Sequence, residues 1–169
     1  MATKQSSNGA APGGRAIKMI QSKIHGRGVI ATRDIAAGEK IVEYVGEIIT
    51  PGEADRRYPF EEDKPHHTFL FSVNSRKIID AAHGGNIARW INHSCDPNCE
   101  ALVEKGRVFI YALRDIKKGE ELVYDYWFVL DEPHTRKMKA IYPCRCGSKN
   151  CRGTILADKR KARAYLGVK

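Results

Sequence analysis

The chain has 169 residues, 42% of them hydrophobic, which is enough for one domain with a core of its own. No apolar run approaches the roughly 20 residues of a membrane-spanning helix, so the sequence predicts no membrane span. The net charge of +9 is unevenly placed: residues 1–132 hold 18 Lys/Arg against 19 Asp/Glu, whereas residues 133–169 hold 11 against one, Asp158. Such a basic segment suits nucleic acid, an anionic partner or a transport receptor, and equally a solvated end that keeps the protein soluble.

Residues 1–14, with Ser6-Ser7-Asn8-Gly9 and Pro12-Gly13-Gly14, lack the apolar stretch of a signal peptide and read as a disordered tail. From Ala16 onward, short alternating apolar runs are separated by Gly and charged turns. Val29-Ile30-Ala31 and residues 40–45 read as strands, with a turn at Ala37-Gly38-Glu39. Glu47-Ile48-Ile49 is expected to extend the second strand until Pro51-Gly52 breaks it. Residues 52–67 are polar and predict a short helix and a loop that carries the acidic run Glu61-Glu62-Asp63.

Residues 69–73 and 77–80 predict a strand pair around Asn74-Ser75, and residues 87–91 a helical turn or two. Residues 100–104 and 107–113 flank Gly106 as a hairpin, and residues 121–128 predict the last strand. There is no internal repeat. The class is mainly β with short helices, which leaves little room for the βαβ units of a dinucleotide-binding fold.

Cys144, Cys146 and Cys151 form a C-x-C-x4-C cluster, three thiols within eight residues that suit three ligands of a tetrahedral zinc. Cys95, in the polar string Asn92-His93-Ser94-Cys95, is the candidate fourth ligand. Without an export signal the expected location is intracellular and reducing, where clustered thiols bind metal more often than they form disulfides. The odd cysteine count agrees, and Cys99 reads as a buried apolar thiol. Asn92-His93-Ser94 also fits the glycosylation pattern, which is read as chance in a protein that is not secreted.

Five signatures occur in order: Gly26-Arg27-Gly28; Glu43-Tyr44-Val45-Gly46-Glu47; the run from Arg89-Trp90-Ile91-Asn92-His93-Ser94-Cys95 to Asp96-Pro97-Asn98-Cys99; Gly119-Glu120-Glu121-Leu122-Val123-Tyr124-Asp125-Tyr126; and the cysteine cluster. Together they resemble SET-domain protein lysine methyltransferases with a zinc-binding post-SET segment, over about residues 15–157. The resemblance implies the SET fold, small β-sheets around a knot-like threaded C-terminal segment. Its expected organisation is a tail (1–14), a SET domain (15–130), a post-SET zinc segment (131–158) and a basic tail (159–169).

The resemblance also implies an S-adenosylmethionine-dependent lysine N-methyltransferase with structural Zn2+, acting on histone tails or similar basic proteins. Tyr126 matches the catalytic tyrosine, and Tyr44 and Tyr124 the lysine-channel positions. Tyr124 stands where the family alternates between Phe and Tyr, which implies a preference for mono-methylation. Gly26, Arg27, Gly28, Asn92 and His93 match cofactor contacts, and Cys95, Cys144, Cys146 and Cys151 the zinc ligands. Asp80, Asn86 and Arg89 are expected to support the site by hydrogen bonds within the fold. Trp90 stands where the family often has Phe, and Phe69 where many relatives have Tyr.

Local readings stay open beside these. Gly26-Arg27-Gly28 alone is an ordinary turn, Tyr44 fits a core tyrosine, and His93 fits a structural histidine. The acidic run 61–63 suits a basic peptide or plain solvation. No cysteine-rich pre-SET segment or chromatin-reader module is visible, which suggests a minimal bacterial or viral protein. Nuclear or chromatin location is expected for a eukaryotic or host-targeted protein, and cytoplasmic otherwise. The alternative function is a non-catalytic zinc module that binds nucleic acid or a protein partner through the basic segment.

Overall fold

The computed structural model describes residues 16–59, 68–130 and 133–160. The expected tail 1–14, the acidic run 61–63 and most of the basic tail lie outside the described residues. Among the described residues the fold is mostly β, with two short α-helices, Pro51–Arg57 and Arg136–Ile141.

Strands β1 (Ile17–Gln21) and β2 (Arg27–Ala31) form an antiparallel pair, with Ile17 opposite Ala31 and Gln21 opposite Arg27. Lys18 and Gln21 interrupt the apolar pattern of β1, which hides this strand in the sequence. β3 (Lys40–Tyr44) is the edge of a five-stranded sheet in which it is followed by β9 (Arg107–Ala112), β8 (Cys99–Glu104), β10 (Val123–Tyr124) and β7 (Asn92–His93). At its centre β8 (Cys99–Glu104) and β9 (Arg107–Ala112) make the expected hairpin about Lys105-Gly106, with alternate residues Val108, Ile110 and Ala112 buried.

β4 (Glu47–Ile49) does not extend β3. It joins a separate three-stranded sheet of order β4-β6-β5, with β5 (Leu70–Asn74) and β6 (Lys77–Asp80). The chain changes sheets at Gly46, where a Cβ would lie 2.5 Å from the Asp80 carbonyl oxygen and 2.7 Å from Ala81 Cα. Only glycine allows that backbone approach.

Helix α1 (Pro51–Arg57) starts with Thr50, whose hydroxyl accepts the Glu53 N–H at 3.2 Å, and has Pro51 in its first turn. A 3-10 turn (Ile87–Trp90) is capped by Asn86, whose side chain accepts the Ala88 N–H and donates to the Glu43 carbonyl at 2.7 Å. A second helix, α2 (Arg136–Ile141), capped by Thr135, was not anticipated in its basic, polar sequence.

The expected strand 121–128 shrinks to the two residues of β10 (Val123–Tyr124). β10 lies between β7 (Asn92–His93) and β8 and runs parallel to both, pairing Val123 with Asn92 and Tyr124 with His93 and Cys99. Around it, the backbone pairs with other segments: Glu121 bridges Ile30, and Phe128 bridges Leu156. A late segment of the chain is thus seated inside the sheet beside Asn92-His93. Asn98, 1% exposed, fixes it by accepting the Val123 N–H at 2.9 Å and donating to the Glu121 carbonyl at 2.8 Å. Ile35, Ile91, Ile110, Ile116 and Leu122 fill the core beneath.

Candidate active site and metal centre

A cleft of about 190 Å³ opens beside the β1–β2 turn, lined by His25, Gly26, Arg27, Arg89, Trp90, Asn92 and Tyr126. Buried Asn92 holds that turn in place: its Nδ2 donates to the carbonyls of His25 (3.2 Å) and Arg27 (2.9 Å) and to Glu121 Oε1 (3.1 Å). Ser22 donates its hydroxyl to the same Glu121 oxygen at 2.7 Å. Gly28 sits against this cluster, where a Cβ would overlap the Glu121 carboxylate and lie 2.8 Å from Ser22 Cβ.

Trp90 forms a wall with two cations close to its ring. The guanidinium carbons of Arg27 and Arg89 lie 4.7 and 4.9 Å from it. The Phe69 ring meets Trp90 edge-on at 4.8 Å. Arg89 donates to the Ala81 carbonyl at 2.8 Å, yet its Nε is buried and has no hydrogen-bond partner among the described residues. The cleft is therefore cationic and aromatic, a surface suited to an anionic group and a flat or apolar one in the same ligand.

Tyr126 closes the cleft on the inner side. Its ring stands 4.9 Å from Tyr124 and 5.2 Å from His93, and its hydroxyl donates to the Ile91 carbonyl at 2.9 Å. Tyr44 donates to the Phe69 carbonyl at 3.0 Å and packs against Phe71 at 5.4 Å. Burial raises the pKa of Tyr44, Tyr124 and Tyr126 above the ordinary phenol value, so all three stay neutral.

His93 accepts the Tyr126 N–H on Nδ1 at 3.2 Å, which leaves its proton on Nε2, 3.5 Å from Cys95 Sγ. Burial pushes its pKa down to about 4, so the ring is neutral at ordinary pH.

The sulfurs of Cys95, Cys144, Cys146 and Cys151 all lie within 4.8 Å of one another. Zn–S bonds of about 2.3 Å in a tetrahedron put sulfurs roughly 3.8 Å apart; Cys95 and Cys144 are at 3.7 Å. The backbone N–H groups of Cys146, Arg152 and Gly153 point at the sulfurs of Cys144, Cys95 and Cys151, at 3.5, 3.4 and 3.4 Å. Such donors favour thiolate. Burial raises Cys95 and Cys144, whereas Cys146, opposed by burial, is held down to about 5 by the Ser148 hydroxyl and its other hydrogen bonds. Crowded thiols cannot all ionise without a cation. The donor set fits a closed, structural zinc site. Cys99 is fully buried apart from them, and burial pushes its thiol up to about 12.

Glu47, Asp80 and His83 also converge within 4.8 Å, but the Arg57 guanidinium already bridges Glu47 (2.7 Å) and Asp80 (3.0 Å). Asp80 is fully buried and also accepts the Tyr58 hydroxyl and the Ala82 N–H, a structural knot.

Of the residues singled out in the sequence, Gly26, Arg27, Asn92 and Tyr126 line the cleft together. Gly28 and His93 stand behind its wall, one against Glu121 and the other between Tyr126 and the thiols. Tyr44 and Tyr124 sit deeper, in the core beside Tyr126. His25, Arg89 and Trp90 are cleft residues too, although in sequence Arg89 fits a supporting role, Trp90 a core one, and His25 carries no signal of its own. Their positions next to Gly26 and Asn92 were the available signal.

The SET domain family model matches residues 26–127. The chain is 40% identical over 141 residues to the human histone-lysine N-methyltransferase 2B, covering 81% of this chain and 5% of that protein. It is 42% identical over 144 residues to the Saccharomyces cerevisiae histone-lysine N-methyltransferase, H3 lysine-4 specific, covering 82% and 13%. A Drosophila virilis relative, histone-lysine N-methyltransferase trithorax, is 39% identical over 140 residues, covering 80% and 4%. The chain thus spans a small part of the length of these relatives. Among solved structures, ctPRC2 in an autoinhibited conformation bound to S-adenosylmethionine matches with a TM-score of 0.61 and 34% identity, over 68% of this chain and 15% of that one.

Proposed function

The chain belongs to the SET-domain family, and from that membership we propose that it is an S-adenosylmethionine-dependent protein lysine N-methyltransferase. Histone tails or similarly basic proteins are the substrates, in keeping with the names of its relatives. The observation that carries this reading is the position of Tyr126. It is at once a wall of the cationic, aromatic cleft and the neighbour of Tyr124, with its hydroxyl proton committed to Ile91.

S-adenosylmethionine, when bound, supplies a methyl group on a sulfonium. Gly26, Arg27 and Asn92 are the candidate holders, with the backbone of the turn exposed to the cleft and Trp90 and Arg89 opposite. The acceptor lysine must be neutral, against a free pKa near 10.4. Apolar walls of Tyr44, Tyr124 and Tyr126 disfavour its ammonium and align its stem. Because the Tyr126 hydroxyl donates to Ile91, its oxygen faces the site with lone pairs, which stabilise a methyl gaining positive character. Tyr124 leaves less room for a larger methylated nitrogen, so mono-methylation is favoured. The four thiols hold zinc, Cys95 tying residues 144–151 to the loop that carries Asn92 and His93.

The test is radiolabelled methyl transfer to free core histones, nucleosomes and a lysate of the source cell, with wild type and Tyr126→Phe side by side. Label on a protein band that vanishes in the variant supports the reaction. No label together with no cofactor binding overturns it.

A second reading concerns the basic segment. Arg136, Lys139, Arg145 and Lys149 are exposed and take part in no ion pair among the described residues. We propose that they meet nucleic-acid phosphates, so binding weakens steeply with added salt. A protein acting on histones works at chromatin; no helix among the described residues is long and apolar enough to cross a membrane.

A further inference from the structure

Arg152, between Cys151 and Gly153, touches two parts of the molecule that are distant in sequence. Its backbone N–H donates to Cys95 Sγ at 3.4 Å. Its guanidinium forks onto Asp125, with Nη1 to Oδ2 at 2.5 Å and Nη2 to Oδ1 at 3.0 Å. Asp125 stands between Tyr124 and Tyr126, and its side chain is 10% exposed.

That carboxylate does more than pair with a cation. Its Oδ1 accepts the Trp127 N–H at 3.0 Å, and Trp127 has a φ of 49°, a left-handed conformation unusual for a bulky residue. The same oxygen faces the neutral His93 ring at 3.6 Å. Immediately beside it, the Tyr126 N–H donates to His93 Nδ1. Three consecutive residues are thus held by side chains, and among the described residues Arg152 is the only Lys or Arg paired with the carboxylate. Without it a nearly buried negative charge stands unpaired, and the strained turn carrying Tyr126 loses its anchor.

We propose that Arg152 is a positioning residue that couples the thiol-metal centre to the Tyr126 turn through Asp125. This rests on the reading of Tyr126 as the residue beside the transferred methyl. His93 already stands between Cys95 and the Tyr126 N–H. The Arg152 link is a second path, one arm the Cys95 hydrogen bond and the other the bidentate ion pair, and it alone bears on Asp125 and through it on the Trp127 N–H. Lysine in this place keeps the charge and loses the fork, so it holds the turn only in part.

The test compares wild type, Arg152→Gln and Arg152→Lys as full chains, each zinc-loaded and then chelated. Zinc content is measured by mass spectrometry and backbone protection of residues 123–128 by hydrogen exchange. In wild type, chelation raises exchange in this stretch by about ten-fold or more. Arg152→Gln is expected to keep one zinc per chain yet show that raised exchange already, with chelation adding less than about two-fold. Arg152→Lys falls between. Methyl transfer by Arg152→Gln drops about ten-fold in kcat with the peptide KM nearly unchanged.

Wild-type protection of residues 123–128 in zinc-loaded Arg152→Gln overturns the proposal, as do effects of chelation and substitution that simply add. Loss of zinc from Arg152→Gln overturns it too, because Arg152 then belongs to the metal site alone. If Arg152→Gln does not fold, Asp125→Asn, which keeps the Trp127 contact and drops the charge, answers the same question. Coupled exchange in a wild-type protein that transfers no methyl group supports the link and removes only the methyltransferase reading.

Discussion

Asn92 and Glu121 are 3.1 Å apart, amide to carboxylate, and the carboxylate oxygen that joins them also receives the Ser22 hydroxyl. One acid therefore ties the β1–β2 turn to the segment leading into β10. Removing it by Glu121→Ala frees both donors. Hydrogen bonds to a charged group contribute about 1.5–3 kcal/mol each, so cofactor affinity is expected to fall at least ten-fold. Calorimetric titration of S-adenosylmethionine checks this, and an unchanged Kd contradicts the anchoring role.

Gly28→Ala attacks the same cluster by crowding. The added methyl has no free direction, since Ser22 and the Glu121 carboxylate already occupy the space. Overpacking of this kind typically costs about 1–3 kcal/mol. A melting temperature lowered by several degrees is the expected result; wild-type stability refutes the contact geometry.

Metal removal is expected to release residues 142–157 from the Phe128 backbone, where Leu156 and Ala157 are otherwise paired. Chelation or Cys146→Ser abolishes methyl transfer and opens this stretch to limited proteolysis. Full activity in metal-free protein contradicts a structural zinc.

Tyr124→Phe removes a phenol 7% exposed and packed on Tyr126. Products are expected to move from mono- toward di- and tri-methylated lysine, read by intact mass. An unchanged distribution counts against Tyr124 as the residue that limits product size.

Alkali offers a test without substrate. Tyr44, Tyr124 and Tyr126 have folded-state pKa values raised above the ordinary phenol value of about 10, each chiefly by burial. Above the unfolded value the unfolded chain loses protons that the folded chain keeps. Stability is therefore full below about pH 10 and declines as pH rises beyond it. Tyrosinate absorbance at 295 nm should show these three titrating only with loss of tertiary structure. Reversible titration of all seven tyrosines in the folded protein contradicts the packing.

The β8–β9 hairpin was legible because its alternation and its Gly106 turn are local. The cysteine spacing was legible for the same reason, three ligands being close in sequence. β10 was not: its two residues are buried on both sides, and their partners, Asn92, His93 and Cys99, lie far upstream. The run 121–128 looks like one strand because apolar residues fill it, yet they serve three different neighbours. Arg89 and Trp90 were read as support and core because the cleft exists only once the 22–26 turn stands beside the 3-10 turn. Gly46 looked like part of a motif and gave no sign that the chain leaves one sheet for another there.

The seating of β10 between β7 and β8 also sets an order of events during synthesis. Ser22 must wait 99 residues for Glu121, and Cys95 waits 49 for Cys144. A ribosome-bound chain that has exposed only the β8–β9 hairpin holds an open gap where Val123 and Tyr124 will go. The cleft therefore gains its last wall, Tyr126, only when the later segment has emerged and taken its place beside Asn92.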